Sequence, residues 1–295
     1  MKEINISQTR NGYLYSCFFV NYIFKLIGYK VCIKEGCDIV VHYCKILPEN
    51  IDTLYPEKKY IIWNPETCAK NADLLNLKSE YILFSSTDKC AHINIPYAFH
   101  AYLEYKERNI WLKYKDFKEK SKVLGYCISN SKPEANHRID FINTFDKYCK
   151  DHHSFGKWRH KNSQHKEMKG NWNNENLHKK YSQCKFVFAL ENRINENGYL
   201  TEKIINAFTS GSIPIYGGDY EHAIRYFNPK RFICVNNFPT YDDCVKHIMD
   251  IVNDDTKYKS IVNEPIFIPG TIFTDYDNEN FSIVNDIKTI MKSIL

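Results

Sequence analysis

Several signatures that would place this chain in a class at once are missing from it. Its 11 cysteines include no Cys-x-x-Cys pair, which argues against the common structural zinc modules. Their odd number and their scatter from Cys17 to Cys244 fit reduced, mostly buried thiols rather than a secreted disulfide framework. No apolar run reaches the length of a bilayer span. The most apolar early stretch, Tyr13 to Tyr29, is interrupted by Asn21 and Lys25. Met1 to Thr9 is polar and shows no signal-peptide pattern. The expectation is a cytoplasmic protein without an integral membrane segment, so the sequons at Asn5 and Asn280 carry little weight. A large charge of one sign is missing too. Forty basic side chains face 35 acidic ones, for a net charge of +5. The basic residues are dispersed, which disfavours a nucleic-acid partner and suits one anionic ligand such as a nucleoside diphosphate. There is no internal repeat and no long low-complexity tract.

What the sequence does contain is a succession of short apolar runs. Lys2–Ser7, Cys37–His42, Lys59–Asn64 and Tyr81–Ser85 read as strands, and Tyr13–Leu26 as a helix. A charged, lysine-rich stretch from Glu104 to Lys122 reads as a solvated helix or linker. The pattern then restarts. Strands are predicted at Lys122–Ile128, Lys185–Leu190, Ser212–Tyr216 and Phe232–Val235, with helices at Ala135–Lys150, Thr201–Thr209, Tyr241–Val252 and Ser282–Ile294. This alternation predicts an α/β protein of two Rossmann-like domains facing across a cleft. The expected divisions are 1–115, 116–270, and a closing helical segment at 271–295 that packs back on the first domain. Ligands of parallel sheets sit at the carboxyl ends of strands. That makes Asn64–Glu66, Ser129–Asn130, Glu191–Asn192 and Gly217–Gly218 the candidate positions.

The densest constellation is FVFALENRINENGYLTEKIINAFTSGSIPIYGG, Phe186 to Gly218. Thr201 reads as an N-cap, and Glu202 as a first-turn acid favoured by the helix dipole. That reading leaves Tyr199 and Lys203 unexplained. A second reading places a helix start in a cleft. Lys203 then meets a phosphate, Tyr199 stacks on or borders a nucleoside, and Glu202 accepts from sugar hydroxyls. Spacing alone leaves both readings open.

The order ALEN, GYLTEK, AFTSGSIPIYGG resembles the signature of the α-1,3/1,4-fucosyltransferase family: F-E-N, a short loop, Y-x-T-E-K, a helix and a Pro-bearing strand. FNPKRFICVNNFPTYDDCVKHI at Phe227–Ile248 is similar to the family's P-x-x-x-F-I-x-V-x-x-F run. VLGYCISN followed by HRIDFINTF (Val123–Phe145) resembles its strand, Ser-Asn turn and Arg-bearing helix. SFGKW (Ser154–Trp158) stands where the family has a strand and a Gly-Lys or Gly-Arg turn. In the first half, IIWNPET (Ile61–Thr67) looks like the family's W-x-x-E-S segment, and INIPYAFH (Ile93–His100) resembles its strand and Pro-Tyr run. The likeness runs from Lys59 to Phe267.

The resemblance implies a GT-B fold and an inverting transferase. Such an enzyme moves L-fucose from GDP-β-L-fucose to a hydroxyl of a glycan acceptor, with an α-1,3 linkage to GlcNAc or glucose as the family default. Donor-binding residues would be Arg138, Asn192, Tyr199, Glu202 and Lys203. Glu66 would be the general base, and Glu202 would stabilise oxocarbenium-like charge. No metal and no cofactor would be required. Oligomeric state is not implied.

Some positions depart from the family pattern. Leu190 stands where Phe is usual, and Arg193 where Ser or Thr is usual. The loop to Gly198 also carries Glu196 and additional asparagines. These changes border the donor pocket and keep a different nucleotide-sugar as an alternative on the same fold. A non-catalytic glycan-binding relative is the other alternative, disfavoured by the joint presence of Glu66, Arg138, Glu202 and Lys203. Asp275-Tyr276-Asp277 mimics a metal-binding DxD but lies beyond the catalytic blocks and reads as a surface loop. His152, His153, His160 and His165 fall in a basic stretch that fits no standard metal site and reads as a mobile basic loop over the donor.

Overall fold

In the computed structural model, which describes residues 1–8, 18–43, 57–65, 79–87, 89–115, 120–129, 136–158, 161–162 and 173–295, the short apolar runs become two parallel sheets. The chain divides into two compact units. One comprises Met1–Leu103 with Pro269–Leu295, the other Glu104–Ile268.

The first unit carries β1 (Lys2–Gln8), β2 (Tyr29–Ile33), β3 (Ile39–Tyr43), β4 (Lys59–Asn64), β5 (Tyr81–Ser85) and β6 (Ile93–Asn94), ordered β2-β1-β3-β4-β5-β6 with every pair parallel. Strand β4 is buried from Tyr60 to Asn64 without alternation, as expected for a strand covered on both faces. Helix α1 (Phe18–Leu26) lays Phe19 against Trp63, with ring centroids 4.3 Å apart, and against Phe84 at 5.3 Å. Helix α2 (Tyr97–Glu107) begins in this unit and sets Phe99 against Phe273. The Tyr22 hydroxyl donates to the Tyr276 carbonyl at 2.7 Å, tying α1 to the carboxyl-terminal segment.

The second unit carries β7 (Lys122–Tyr126), β8 (His152–Ser154), β9 (Cys184–Leu190), β10 (Ile213–Gly217) and β11 (Ile233–Cys234), ordered β11-β10-β9-β7-β8 and again all parallel. Its longer helices are α3 (Asn136–Tyr148), α4 (Glu175–Tyr181), α5 (Glu202–Thr209), α6 (Tyr241–Val252) and α7 (Asp255–Val262). Helix α8 (Ser282–Ser293) returns to the first unit and buries Val284, Ile287 and Met291. In the second unit Phe141 of α3 meets Phe188 of β9 and Tyr241 of α6, joining helices to sheet through one aromatic cluster. Helix α6 is capped as its sequence dictates: the Thr240 hydroxyl accepts from the Asp243 N–H.

The Glu104–Lys122 stretch differs from a solvated linker. Glu104 is buried, accepting from Arg108 at 2.7 Å and from Asn173 at 2.8 Å, and the Tyr105 hydroxyl donates to Asn206. The Lys120 ammonium donates to the carbonyls of Ser182, Cys184 and Ser210 and to the Ser212 hydroxyl. Burial lowers its pKa to about 8. Charge density in sequence suggested solvent, and Lys106, Glu107, Arg108, Lys113 and Lys115 are exposed; Glu104 and Lys120 are instead internal clamps, because donors to the one and carbonyl acceptors to the other replace the water they lose.

Candidate active site

The site in the second unit follows from strand order. β7 and β9 are neighbours, yet the chain leaves β7 toward β8 on one side and β9 toward β10 on the other. Where connections diverge in this way, a crevice forms beyond the strand carboxyl ends. The residues that end these strands, Cys127 and Ile128 after β7 and Leu190 and Glu191 at β9, lie here.

Two helix starts supply the charge. His137, in the first turn of α3, has Nε2 2.8 Å from the Glu191 carbonyl oxygen, which ties that helix start to the end of β9. The next residue, Arg138, is 3% exposed. Helix α5 begins at Glu202, with Lys203 beside it. A cavity of about 50 Å³ is lined by Cys127, Ile128, Arg138, Leu190, Glu202 and Lys203, among others. It is a niche for one group of a ligand, since whole small-molecule pockets run from about 300 Å³ upward.

Glu191 organises this niche. Its fully buried carboxylate accepts from the Thr201 N–H at 2.8 Å, from the Thr201 hydroxyl at 2.7 Å and from Lys203 Nζ at 3.0 Å. Lys203 Nζ also donates to Thr201 Oγ1 at 2.9 Å and stands 3.5 Å from Glu202 Oε1. Thr201 therefore departs from the expected capping role. It occupies the N-cap position, but its hydroxyl makes no cap bond, because the buried carboxylate is the stronger acceptor. Burial pushes the Glu191 carboxyl up. Burial alone would lower Lys203, but Glu191 and Glu202 outweigh it and hold the ammonium above its usual value. Burial pulls Arg138 down against the opposing fields of Glu191, Tyr199 and Glu202. Two cations and the Glu202 carboxylate thus line the niche, with the Glu191 carboxylate behind them. The Cys127 thiol, raised to about 11 by burial and then by Glu202, stays protonated at neutral pH and is no nucleophile.

Close approach fixes two glycines. A Cβ on Gly218 would lie 2.4 Å from the Tyr216 hydroxyl and 3.0 Å from Glu191 Cγ. One on Gly156 would lie 2.4 Å from the Ile128 carbonyl oxygen, at the floor of the site. Gly156 belongs to the SFGKW block, whose Phe155 and Trp158 N–H groups donate to Tyr126 and Ile128.

The loop that departs from the family pattern neutralises itself. Arg193 and Glu196 stand 3.6 Å apart at the surface, and the Gly198 N–H donates to Asp219 at 2.8 Å. Asp219 also accepts from the His222 N–H, so it anchors both the loop and the following turn. Tyr199 is 2% exposed, so it offers no open face for stacking. Asn192 is half-buried, directly after Glu191.

The expected residues Arg138, Glu202 and Lys203 are brought together here, with Asn192 and Tyr199 adjoining them in the chain. Glu66 lies outside the described residues; β4 ends at Asn64, shortly before it. Asp219 and His137 were not singled out from sequence, and Glu191 was named only as a strand-end position, with no role given to its side chain. Glu191 left a signal, an acid directly after the apolar run of β9, but only the fold shows what it holds. The basic-loop reading of the histidine stretch is corrected at its start. His152 and His153 form a buried strand, their rings 2.8 Å from Asp146 and 2.6 Å from Asp151, because each needs an acceptor once inside. His160 and His165 lie outside the described residues. The Asp275-Tyr276-Asp277 mimic is local: Asp275 accepts from Thr274 and Asn278, and Asp277 is exposed. Among the described residues no cluster of His, Cys, Asp or Glu has the makings of a metal site, and no helix is long and apolar enough to cross a membrane.

Comparison with known proteins bears directly on this unit. Residues 117–263 match glycosyltransferase family 10 (fucosyltransferase), C-terminal part. A protein of Acanthamoeba polyphaga mimivirus provisionally named a fucosyltransferase is 36% identical over 194 residues, 64% of this chain and 31% of that protein. The Mus musculus 4-galactosyl-N-acetylglucosaminide 3-alpha-L-fucosyltransferase 9 is 29% identical over 148 residues, 49% of this chain and 37% of that enzyme. The matched stretches thus span about a third of these relatives' own lengths. Crystal structures of an alpha1,3-fucosyltransferase superpose over nearly the whole chain. One has a TM-score of 0.73 at 21% identity, covering 99% of this chain and 90% of that one. The form with GDP-fucose has a TM-score of 0.68 at 18% identity, covering 100% and 91%. The fold shared with them is the GT-B type, two Rossmann-like α/β domains. The domain that contains this niche is a glycosyltransferase family 10 (fucosyltransferase) domain.

Proposed function

We propose that this chain transfers L-fucose from GDP-β-L-fucose to a hydroxyl of a glycan acceptor, with inversion at the anomeric carbon. The observation that carries this reading is the pairing of buried Arg138 with Lys203 at the switch point of a fucosyltransferase-family domain. The acceptor oxygen attacks the anomeric carbon as the bond to the β-phosphate breaks, and GDP departs with the electron pair. Charge therefore grows on the diphosphate, where Arg138 and Lys203 meet it. Glu202, in the same cavity, faces the sugar and stabilises positive charge on its ring. Asn192 and Tyr199 bound the nucleotide side. Glu66 accepts the proton of the acceptor hydroxyl, the role of the base carboxylate in inverting sugar chemistry. With two cations already in place, the diphosphate needs no metal. The mouse relative's name supports a 4-galactosyl-N-acetylglucosaminide acceptor and an α-1,3 linkage.

The test is incubation of the purified chain with GDP-fucose and N-acetyllactosamine, with and without EDTA, and identification of the product by linkage analysis. An α-linked fucosyl product formed in EDTA is expected. Binding and turnover of a UDP- or dTDP-sugar, with none of GDP-fucose, would select a different donor on the same fold. Nucleotide-sugar binding without transfer to any acceptor would mark a non-catalytic glycan-binding relative.

A further inference from the structure

Glu191 stands behind the niche rather than in it. It does not line the cavity, it is fully buried, and the carboxylate contacts described above run to Thr201 and Lys203. A carboxylate placed so deep is costly unless something depends on it. The sequence spends three features on keeping it there: Gly218 leaves room for its Cγ, the Gly217 carbonyl accepts from its N–H at 2.7 Å, and His137 holds its own carbonyl. The group that Glu191 aims is the Lys203 ammonium, which does line the cavity.

We propose that Glu191 is a positioning residue for donor binding: through a buried ion pair, shared with the Thr201 hydroxyl, it fixes the Lys203 ammonium at the cavity wall where the nucleotide diphosphate is received. This rests on the functional reading above. The geometry gives it a distinct consequence. A lysine side chain has many rotamers, and holding one of them before the ligand arrives removes that ordering cost from binding. Glu191 also governs the charge of Lys203. The groups facing that ammonium are Glu191 from β9, Glu202 beside it on α5 and Arg138 from α3, with the Cys127 thiol and the Tyr181 hydroxyl in the same lining. Arg138 repels the ammonium's charge and burial disfavours it. With Glu191 neutralised, Glu202 alone opposes them, and Lys203 loses its proton at lower pH.

The experiment is GDP titration by calorimetry across pH 6 to 10 for the full chain and for Glu191→Gln, Lys203→Met and the double variant, with thermal unfolding of each. Glu191→Gln should bind GDP about tenfold more weakly at neutral pH, the loss of one charge-assisted contact. Its affinity should also fall away at lower pH than that of the parent chain. The double variant should bind no more weakly than Lys203→Met, because both changes remove the same interaction. It should also be more stable than Lys203→Met, which leaves a buried carboxylate without its counter-charge. Unchanged affinity and pH dependence in Glu191→Gln would overturn the proposal, as would losses that multiply in the double variant. Should Glu191→Gln fail to fold, a folded double variant that binds like Lys203→Met supports it, and an unfolded one overturns it. Absence of GDP binding by the parent chain would overturn the donor assignment as well, whereas parent binding with an indifferent Glu191→Gln removes this proposal alone.

Discussion

The two units use the same strand order from their first strand onward, second-first-third-fourth-fifth, yet their strand ends carry opposite chemistry. In the second unit the carboxyl ends of β7 and β9 meet Arg138, Glu191, Glu202 and Lys203. In the first unit, the described carboxyl ends of β4, β5 and β6 carry buried Asn64, buried Ser85 and exposed Asn94, paired in register across three strands. Asn94 Nδ2 donates to the Ser85 carbonyl at 3.4 Å, and the Ser86 N–H to Asn64 at 3.2 Å. Among the described residues, one unit offers charge and the other neutral polar groups. A diphosphate asks for the first and an uncharged sugar for the second. Topology made two equivalent places, and the side chains after the strands make them chemically different.

The contrast can be broken most sharply at the proposed base and at one donor-binding cation. Glu66→Ala is expected to cut transfer by about 1,000-fold, within the range for a general base, while GDP affinity stays near that of the parent; steady-state kinetics with calorimetry check both. Arg138→Ala should do the reverse first, weakening GDP by about 100-fold, the cost of removing one charged partner from a buried anion site.

A pH titration asks what the units share. Burial lowers His100 in the first unit and His178 in the second to about 4, from an ordinary 6.5. Both are neutral when folded and charge on unfolding in acid. Their contribution is therefore complete above pH 6.5 and is lost as pH falls toward 4, by about 3 kcal/mol for each residue. Urea denaturation at pH 7 and 4.5 should show the fall, and His178→Gln should blunt it.

Gly156→Ala sets a Cβ against the Ile128 carbonyl and should destabilise the second unit by about 2 kcal/mol, read as a lowered Tm. The smallest effect is expected from Asn94→Ala, the exposed member of the row, a roughly fivefold rise in acceptor KM with donor KM unchanged, about the worth of one neutral hydrogen bond. Equal shifts in both KM values would dissolve the distinction between the units.

Much of this was legible in the residues. Lys59–Asn64, Tyr81–Ser85 and Tyr241–Val252 form as strand, strand and helix with the expected limits, because long buried runs and a Thr240 cap leave few alternatives. The short strands β2 and β8 did not stand out, since five and three residues of mixed polarity give no period to read. Arg138, Glu202 and Lys203 were legible through their block order. The buried role of Glu191 was not, nor the internal role of Lys120, because a charge in a sequence carries no mark of its depth.

By itself the sequence determined the alternation of strands and helices, the family of the second unit and the residues that gather at its switch point. These follow from apolar periodicity and local spacing, which act over a few residues. Only the tertiary structure decided which charges face a ligand and which face one another. Glu191 sits 12 positions from Lys203 in the chain and 3.0 Å from it in space; pairing of that kind is set by strand order and burial, where loss of water makes each unpartnered charge costly.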